Sequence, residues 1–263
     1  MIDFHTHIFP DKIAEKSIPH LAEVCKTEPF TNGKLDGLLH STEEAGLSCS
    51  IILPVVTAPK QFDSIHRFAM QFLEQENLLS FGGIHPENTD YKEKLRWIKE
   101  QGFKGIKLHP DYQGAYFNDI RYKRILAYAS ELDLIVLTHA GLDPLCPNDI
   151  HCTPQMAEEV LDEVRPTKLV LAHMGGNGLF DDVERYLVGR DVYFDTSYVL
   201  DKMGKEQFLR MVRNHGADKI LFATDSPWGG QKEFVSYFKS LDLSEKEKAM
   251  ISEENAKKIL KNS

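Results

Sequence analysis

Hydrophobic positions in this chain recur in short blocks, each closed by a polar residue and followed by glycine or proline and then an amphipathic stretch. The blocks are Ile2–His7, Ser50–Val56, Leu79–His85, Phe103–His109, Leu134–His139, Lys168–His173, Val192–Ser197 and Lys219–Asp225. Helical spacing fills the gaps at Ser64–Gln75, Tyr91–Gln101, Arg121–Leu132, Pro154–Val164 and Lys205–Asn214. Phe234–Leu241 supplies a helix after the last block, and Ser244–Leu260 a C-terminal one. Strands alternating with helices predict βαβ units and a parallel sheet. Runs such as IILPVV, LIVL and KLVLA are apolar throughout, as strands buried on both faces require. Eight units in 263 residues predict an α/β fold, a TIM-type (β/α)8 barrel occupying residues 1–263 as a single domain, since such a barrel needs about 250 residues. No GxGxxG follows the first block, which disfavours a dinucleotide-binding sheet. The stretch Pro10–Gly37 interrupts the alternation and is expected to place an inserted helix over the barrel mouth, with Tyr112–Asn118 and Leu142–Thr153 as loops at the same end.

The polar residues fall where that fold would use them. His5 and His7 end the first block, His85 the third, Lys107 and His109 the fourth, His139 the fifth, His173 the sixth and Asp225 the eighth. The C-terminal ends of barrel strands line the catalytic face, so six of the eleven histidines are predicted on one rim. Strand side chains alternate faces. An inward His5 therefore takes Asp3 and His7 inward with it and sends Ile2, Phe4 and Thr6 toward the helices. The same parity places Gly105, Lys107 and His109 inside, and likewise Leu221, Ala223 and Asp225. Two imidazoles from HxH and a third from across the barrel suit zinc or a similar divalent ion, to which Asp225 adds an oxygen. Taken singly these signals are weak: most HxH pairs bind nothing, a histidine after a strand is commonly a packing residue, and TDSP resembles a helix start that Asp225 would cap. Their joint occurrence on four strand ends favours a metal centre.

Composition narrows the partners. The formal charge of −9 repels phosphate backbones at long range, so no nucleic-acid partner is expected. The four cysteines, Cys25, Cys49, Cys146 and Cys152, fit neither a disulfide scaffold nor a paired CxxC site, and read as reduced thiols. A structural metal at the loop that Cys146 and Cys152 bracket around His151 is the weaker reading. The N-terminus MIDFHTHIFP lacks a signal-peptide pattern and no apolar run reaches the ~18 residues of a membrane span, so a cytoplasmic protein is expected. On base rates a homodimer is plausible.

The segments IDFHTH, GIKLHP, VLTHAG, LVLAHMGG and ATDSPWGG, in this order over the whole chain, resemble the amidohydrolase superfamily, in particular the amidohydrolase-related group that includes metal-dependent decarboxylases. The resemblance implies that His5, His7, His139 and Asp225 bind a divalent ion, zinc first, with manganese, iron or cobalt as alternatives. It implies that His173 sits beside the ion, polarising substrate or assisting proton transfer. In binuclear relatives a carbamylated lysine at the position of Lys107 bridges two ions, with His139 and His173 on the second. The arrangement expected here is one ion, with Lys107 free to meet a substrate carboxylate. His109 and Trp228 are further candidate substrate contacts. Tyr112, Tyr116, Phe117 and Tyr198 would suit a planar substrate if they line the mouth. The leading expectation is hydrolysis of a small amide, ester or lactone by metal-activated water, with Asp225 accepting the proton and His173 stabilising the oxyanion. The alternative is non-oxidative decarboxylation of a small aromatic or dienoic acid. GIHPEN and TDSP are also similar to TatD-like nucleases, but those carry an acidic ligand where this chain has Lys107, which makes a deoxyribonuclease the third choice. A binding protein without turnover would be expected to have lost a ligand, and none is lost.

Overall fold

A computed structural model describes residues 1–261 apart from Glu74 and Glu76. The expected helix Ser64–Gln75 includes Glu74, which, like Asn262 and Ser263 at the end of the expected domain, lies outside the described residues.

Among the described residues nine short parallel segments form the sheet: β1 (Ile2–Thr6), β2 (Cys49–Ile52), β3 (Leu78–Ser80), β4 (Gly82–Gly83), β5 (Gly105–Leu108), β6 (Ile135–Thr138), β7 (Leu169–Leu171), β8 (Tyr193–Asp195) and β9 (Ile220–Leu221). β3 and β4 are two pieces of one barrel strand, interrupted at Phe81, whose N–H reaches the Ile52 carbonyl at 2.9 Å. Backbone bonds close the ring between the first and last strands: Phe4 N to Phe222 O at 3.0 Å, Asp225 N to His5 O at 2.9 Å and His7 N to Ser226 O at 2.6 Å. The fold is the eight-stranded α/β barrel. Its strands are shorter than the hydrophobic blocks, because the chain leaves the ladder just before the rim residues, and His173, Tyr198 and Asp225 have left-handed φ values of 59°, 64° and 69°.

Two apolar layers follow from the strand alternation. One cluster takes Ile51 and Leu53, Phe81, Ile135 and Leu137, Val170 and Ala172, and Leu221 and Ala223, and fills the barrel interior. The intervening residues, such as Ile106, Leu108, Val136, Leu171, Phe194 and Phe222, pack beneath the helices. Gly105 is small because Phe81 needs the space: a Cβ there would lie 2.7 Å from the Phe81 ring and 2.6 Å from the Ile135 carbonyl.

β1 departs from the simple parity. Its pairing with β2 shifts register between Asp3 and Thr6, the mark of a bulge, which puts two consecutive residues on one face. Ile2 and Phe4 consequently join the interior cluster, with Phe4 edge-on to Phe81. Asp3, expected inside, instead points among the helices, where it accepts from Thr224 N, Thr224 Oγ1 and Gln231 Nε2 at 3.0, 2.6 and 2.8 Å. Past the bulge His5 and His7 both face the mouth.

The insertion after β1 is a helix, Asp11–Cys25, and it forms one wall of the mouth. Three helices among the described residues lacked a sequence expectation, Leu35–Glu44, Phe180–Tyr186 and the single turn Pro110–Gln113, which takes up the start of the stretch Tyr112–Asn118 expected as a loop. No helix among the described residues is long and apolar enough to cross a membrane.

Candidate metal centre

β1 delivers His5 and His7, and the turn after β9 delivers Asp225. The two Nε2 atoms are 3.1 Å apart, and Asp225 Oδ1 lies 3.3 Å from His5 Nε2 and 3.2 Å from His7 Nε2. The partners behind each ring fix which nitrogen carries hydrogen. His7 Nδ1 donates to the Leu53 carbonyl at 2.8 Å, and His5 Nδ1 to Asp195 Oδ2 at 2.9 Å. Both Nε2 atoms are thereby left as lone-pair acceptors, facing each other and a carboxylate oxygen. Three acceptors at hydrogen-bond distance repel unless a cation lies among them, and a divalent ion fits that donor set. Asp225 is not a helix cap, since the next helix begins only at Gln231.

Electrostatics agree with this assignment. Burial, then the Lys107 ammonium, push the His5 imidazole well below its ordinary value, so it is neutral and able to ligate. Burial alone would raise the Asp225 carboxyl, but the adjoining His5, His7 and His173 imidazoles more than offset it and hold the group well below the usual carboxylate range. Lys107 on β5 is fully buried, its Nζ 3.0 Å from His5 Nε2. Burial lowers its pKa to about 8 against the opposing pull of Asp225 and Asp195.

His139 and His173 sit beside this trio without merging into it. His173 Nδ1 donates to the Ser197 carbonyl at 2.9 Å, and its Nε2 is 3.0 Å from His139 Nδ1. The His139 ring stacks on His109 at 4.3 Å, and His109 in turn stacks on Tyr112 at 3.7 Å. The donor atoms of His5, His7 and Asp225 fall within 4.8 Å of one another, whereas His139 groups with His109 and Asp143. His109 Nδ1 accepts from Tyr112 N at 3.4 Å as the cap of helix Pro110–Gln113, and its Nε2 is 3.6 Å from Asp143 Oδ2.

One cavity of about 570 Å³ is lined by His5, His7, Lys107, His109, His139, His173, Asp225 and Trp228. Tyr112 and Tyr198 also line it, but Phe117 is buried in the core, and Tyr116 is exposed and stacked on His151. His85 is not among the lining residues; its Nδ1 accepts from Glu87 N at 3.2 Å in a local turn, so five of the six strand-end histidines share the mouth. The cysteines are free thiols, and Cys146 lies near Asp111 and His151.

Three carboxylates, Asp195, Asp143 and Asp111, were not singled out from the sequence. Asp195, at the end of β8, backs His5 through Oδ2, while its Oδ1 accepts from His173 N and Ser197 N at 2.9 and 3.0 Å. Asp143 is buried in the cavity wall, where burial raises its carboxyl to about 6 against the bond from Leu145 N. The Asp of VYFDTS at a strand end was a usable signal for the first; Asp143 sits in a loop with no pattern to mark it.

A barrel with a histidine-rich rim and a cation-seeking trio at its C-terminal face defines the class of metal-dependent barrel enzymes. Residues 2–261 match the amidohydrolase family, and the chain belongs to it. A search of curated proteins finds no match. Among solved structures it is similar to the 2,6-dihydroxybenzoate decarboxylase from Rhizobium, with a TM-score of 0.76 and 19% identity, covering 99% of this chain and 98% of that one. It is similar also to the 5-carboxyvanillate decarboxylase from Sphingomonas paucimobilis, at 0.77 and 13%, with coverage of 99% and 98%. A dihydroxybenzoic acid decarboxylase from a Polaromonas species, solved with bound manganese and the inhibitor 2-nitroresorcinol, gives 0.71 and 18%, with coverage of 99% and 96%. At such identities the likeness speaks for the fold.

Proposed function

We propose that the protein is a divalent-metal-dependent, non-oxidative decarboxylase of a small aromatic carboxylic acid. The observation that carries this reading is the cavity. At about 570 Å³ it suits a single-ring ligand, and its walls combine Ile13, Leu21, Ile65, Phe68 and Trp228 with a polar floor at His5, His7, Lys107 and Asp225. The full-length similarity to several aromatic-acid decarboxylases supports the same choice over the hydrolysis expected first.

His5, His7 and Asp225 would hold the ion, with His139 the fourth ligand if its ring turns toward them. Zinc and manganese both suit such a set. A bound divalent cation supplies Lewis acidity toward an oxygen of the substrate. Lys107 is the only lysine or arginine among the described residues lining the cavity, and it serves to orient the substrate carboxylate. The bond from ring carbon to carboxylate breaks, CO2 leaves, and the electron pair stays on the ring carbon, which then takes a proton. Asp225 turns Oδ1 to the imidazoles, so Oδ2 is the oxygen that exchanges this proton. Being a carboxylate at rest, Asp225 can return only a proton that it has first accepted. That favours an acid with an ionisable ring hydroxyl. The apolar wall shields the carbanionic carbon from bulk water.

The test is CO2 release from a panel of hydroxybenzoic acids by metal-loaded protein, set against turnover of activated esters and lactones. Carbon dioxide release is expected, and Asp225→Asn should lower it roughly 10²–10⁴-fold. Ester or lactone turnover without any CO2 release would restore the hydrolytic reading, which the ionised Asp225 also suits as an acceptor of a proton from water.

A further inference from the structure

Three buried side-chain atoms among the described residues lack a hydrogen-bond partner: Asp111 Oδ2, His139 Nε2 and Ser226 Oγ. The first two face each other at 3.8 Å. An approach of roughly 1 Å would join them in a charge-assisted bond. The Asp111 side chain is wholly buried, and its other oxygen is already committed: Oδ1 accepts from His151 N at 3.2 Å and from His151 Nδ1 at 3.1 Å.

The neighbours of His139 limit its tautomer. His173 donates from Nδ1 to the Ser197 carbonyl and so presents a bare Nε2 to His139 Nδ1, 3.0 Å away. If His139 carries its hydrogen on Nδ1, that bond is made, but the lone pair on Nε2 is left buried against a carboxylate. If the hydrogen is on Nε2, both orphan atoms are paired, and the lone pairs of His139 Nδ1 and His173 Nε2 converge, an arrangement that only a cation or a proton donor from the cavity relieves. With a cation or donor on the Nδ1 side, the Nε2 form is the one that leaves no buried acceptor unpaired.

We propose that Asp111 is a positioning residue that acts through His139: its Oδ2 takes the Nε2 hydrogen, so that His139 offers Nδ1 to the metal centre. The inference uses the role of His139 as a ligand and is independent of which reaction the enzyme performs. It also gives the loop 142–153 a function, because His151 anchors that loop to the same carboxylate. Asp111 lies on helix Pro110–Gln113, which follows β5 directly, so the strand carrying Lys107 also sets the aspartate's height behind His139.

The tautomer can be read without any substitution. Long-range proton–nitrogen correlation spectra of the Zn²⁺-loaded, histidine-labelled protein, with the His139 signals assigned by their loss in His139→Gln, should show hydrogen on Nε2. Hydrogen on Nδ1 in the native chain would overturn the proposal, and would mean that Asp111 is the protonated partner. Asp111→Asn should shift His139 toward the Nδ1 form and weaken binding of Zn²⁺ or Mn²⁺, measured against a chelating indicator, by about 10–100-fold. His151→Ala removes only the Oδ1 contacts and should leave the tautomer unchanged and affinity within about threefold. Equal losses in both variants would make Asp111 a loop anchor and nothing more, and unchanged affinity in Asp111→Asn would also refute it.

Discussion

The replacement Asp195→Asn tests the metal centre most sharply, because it changes one atom of a residue that does not line the cavity. In the native chain Asp195 Oδ2 accepts from His5 Nδ1 at 2.9 Å, and Oδ1 accepts from the backbone N–H of His173 and Ser197 and from the Ser197 hydroxyl. An asparagine keeps its carbonyl where three donors converge, so its NH2 must face His5 Nδ1. Donor then meets donor. His5 relieves the clash by moving its hydrogen to Nε2, the atom that the cation needs bare. Loss of the outer partner of a ligating histidine costs about 10–100-fold in metal affinity, or about 1.4–2.7 kcal/mol. Titration of metal-free protein with Zn²⁺ or Mn²⁺ against a chelating indicator measures it directly. Ser197→Ala is the control: it removes a hydroxyl 3.0 Å from the same nitrogen but leaves the carboxylate, so affinity should stay within about threefold. Native affinity in Asp195→Asn would mean that the tautomer of His5 is not set from behind, and that the three facing atoms do not call for a cation.

Two further outcomes test the scaffold. His66 is buried, with Nδ1 donating to the Phe62 carbonyl and Nε2 accepting from Gly83 N, and burial lowers its pKa to about 4 from 6.5. Between those values the unfolded chain binds a proton that the folded chain refuses. Stability from this group is therefore complete above pH 6.5 and falls as the pH drops toward 4, by up to about 3 kcal/mol. Urea melts at pH 7.5 and 4.5 should show that loss in the native chain and a smaller one in His66→Gln; identical pH dependence would refute it. Gly141 has φ +89°, and a Cβ there would meet Asn177 N at 2.1 Å. Gly141→Ala should cost roughly 2 kcal/mol or more, visible as a lower melting temperature, and an unchanged one would show that the backbone yields freely.

The barrel was legible because each strand block carries its own signal: β-branched, apolar on both faces, and ended by punctuation. The rim residues were legible for a related reason. Strand ends are fixed by local sequence, and the barrel turns those ends into a circle. What remained hidden depends on contacts between strands. The β1 bulge leaves no trace in IDFHTH, since an inserted residue is defined only against the register of β2. His139 could be placed on the rim, yet the direction of its ring follows from Asp111, His109 and His173 on two other segments. Helix Leu35–Glu44 was passed over although Leu35, Leu38, Leu39 and Thr42 keep helical spacing, because the surrounding insertion broke the alternation.

Asp3 shows how a motif can mislead and still inform. Read by parity, the aspartate of IDFHTH belongs inside with the histidines. In the fold it stands on the other face, wholly buried, with burial raising its carboxyl to about 6 against the bonds from Thr224 and Gln231. Those bonds tie the first strand to the turn after β9 and to the helix beyond it, and Gln231 continues the network to Ser50 on β2 at 3.0 Å. The residue therefore locks the seam where the ring closes. Asp225 is held in place by that seam, since its N–H bonds to the His5 carbonyl directly opposite. Thus the spacing that brings two imidazoles to the mouth is useful only because the residue just before the bulge has turned away to fasten the third ligand's strand against them.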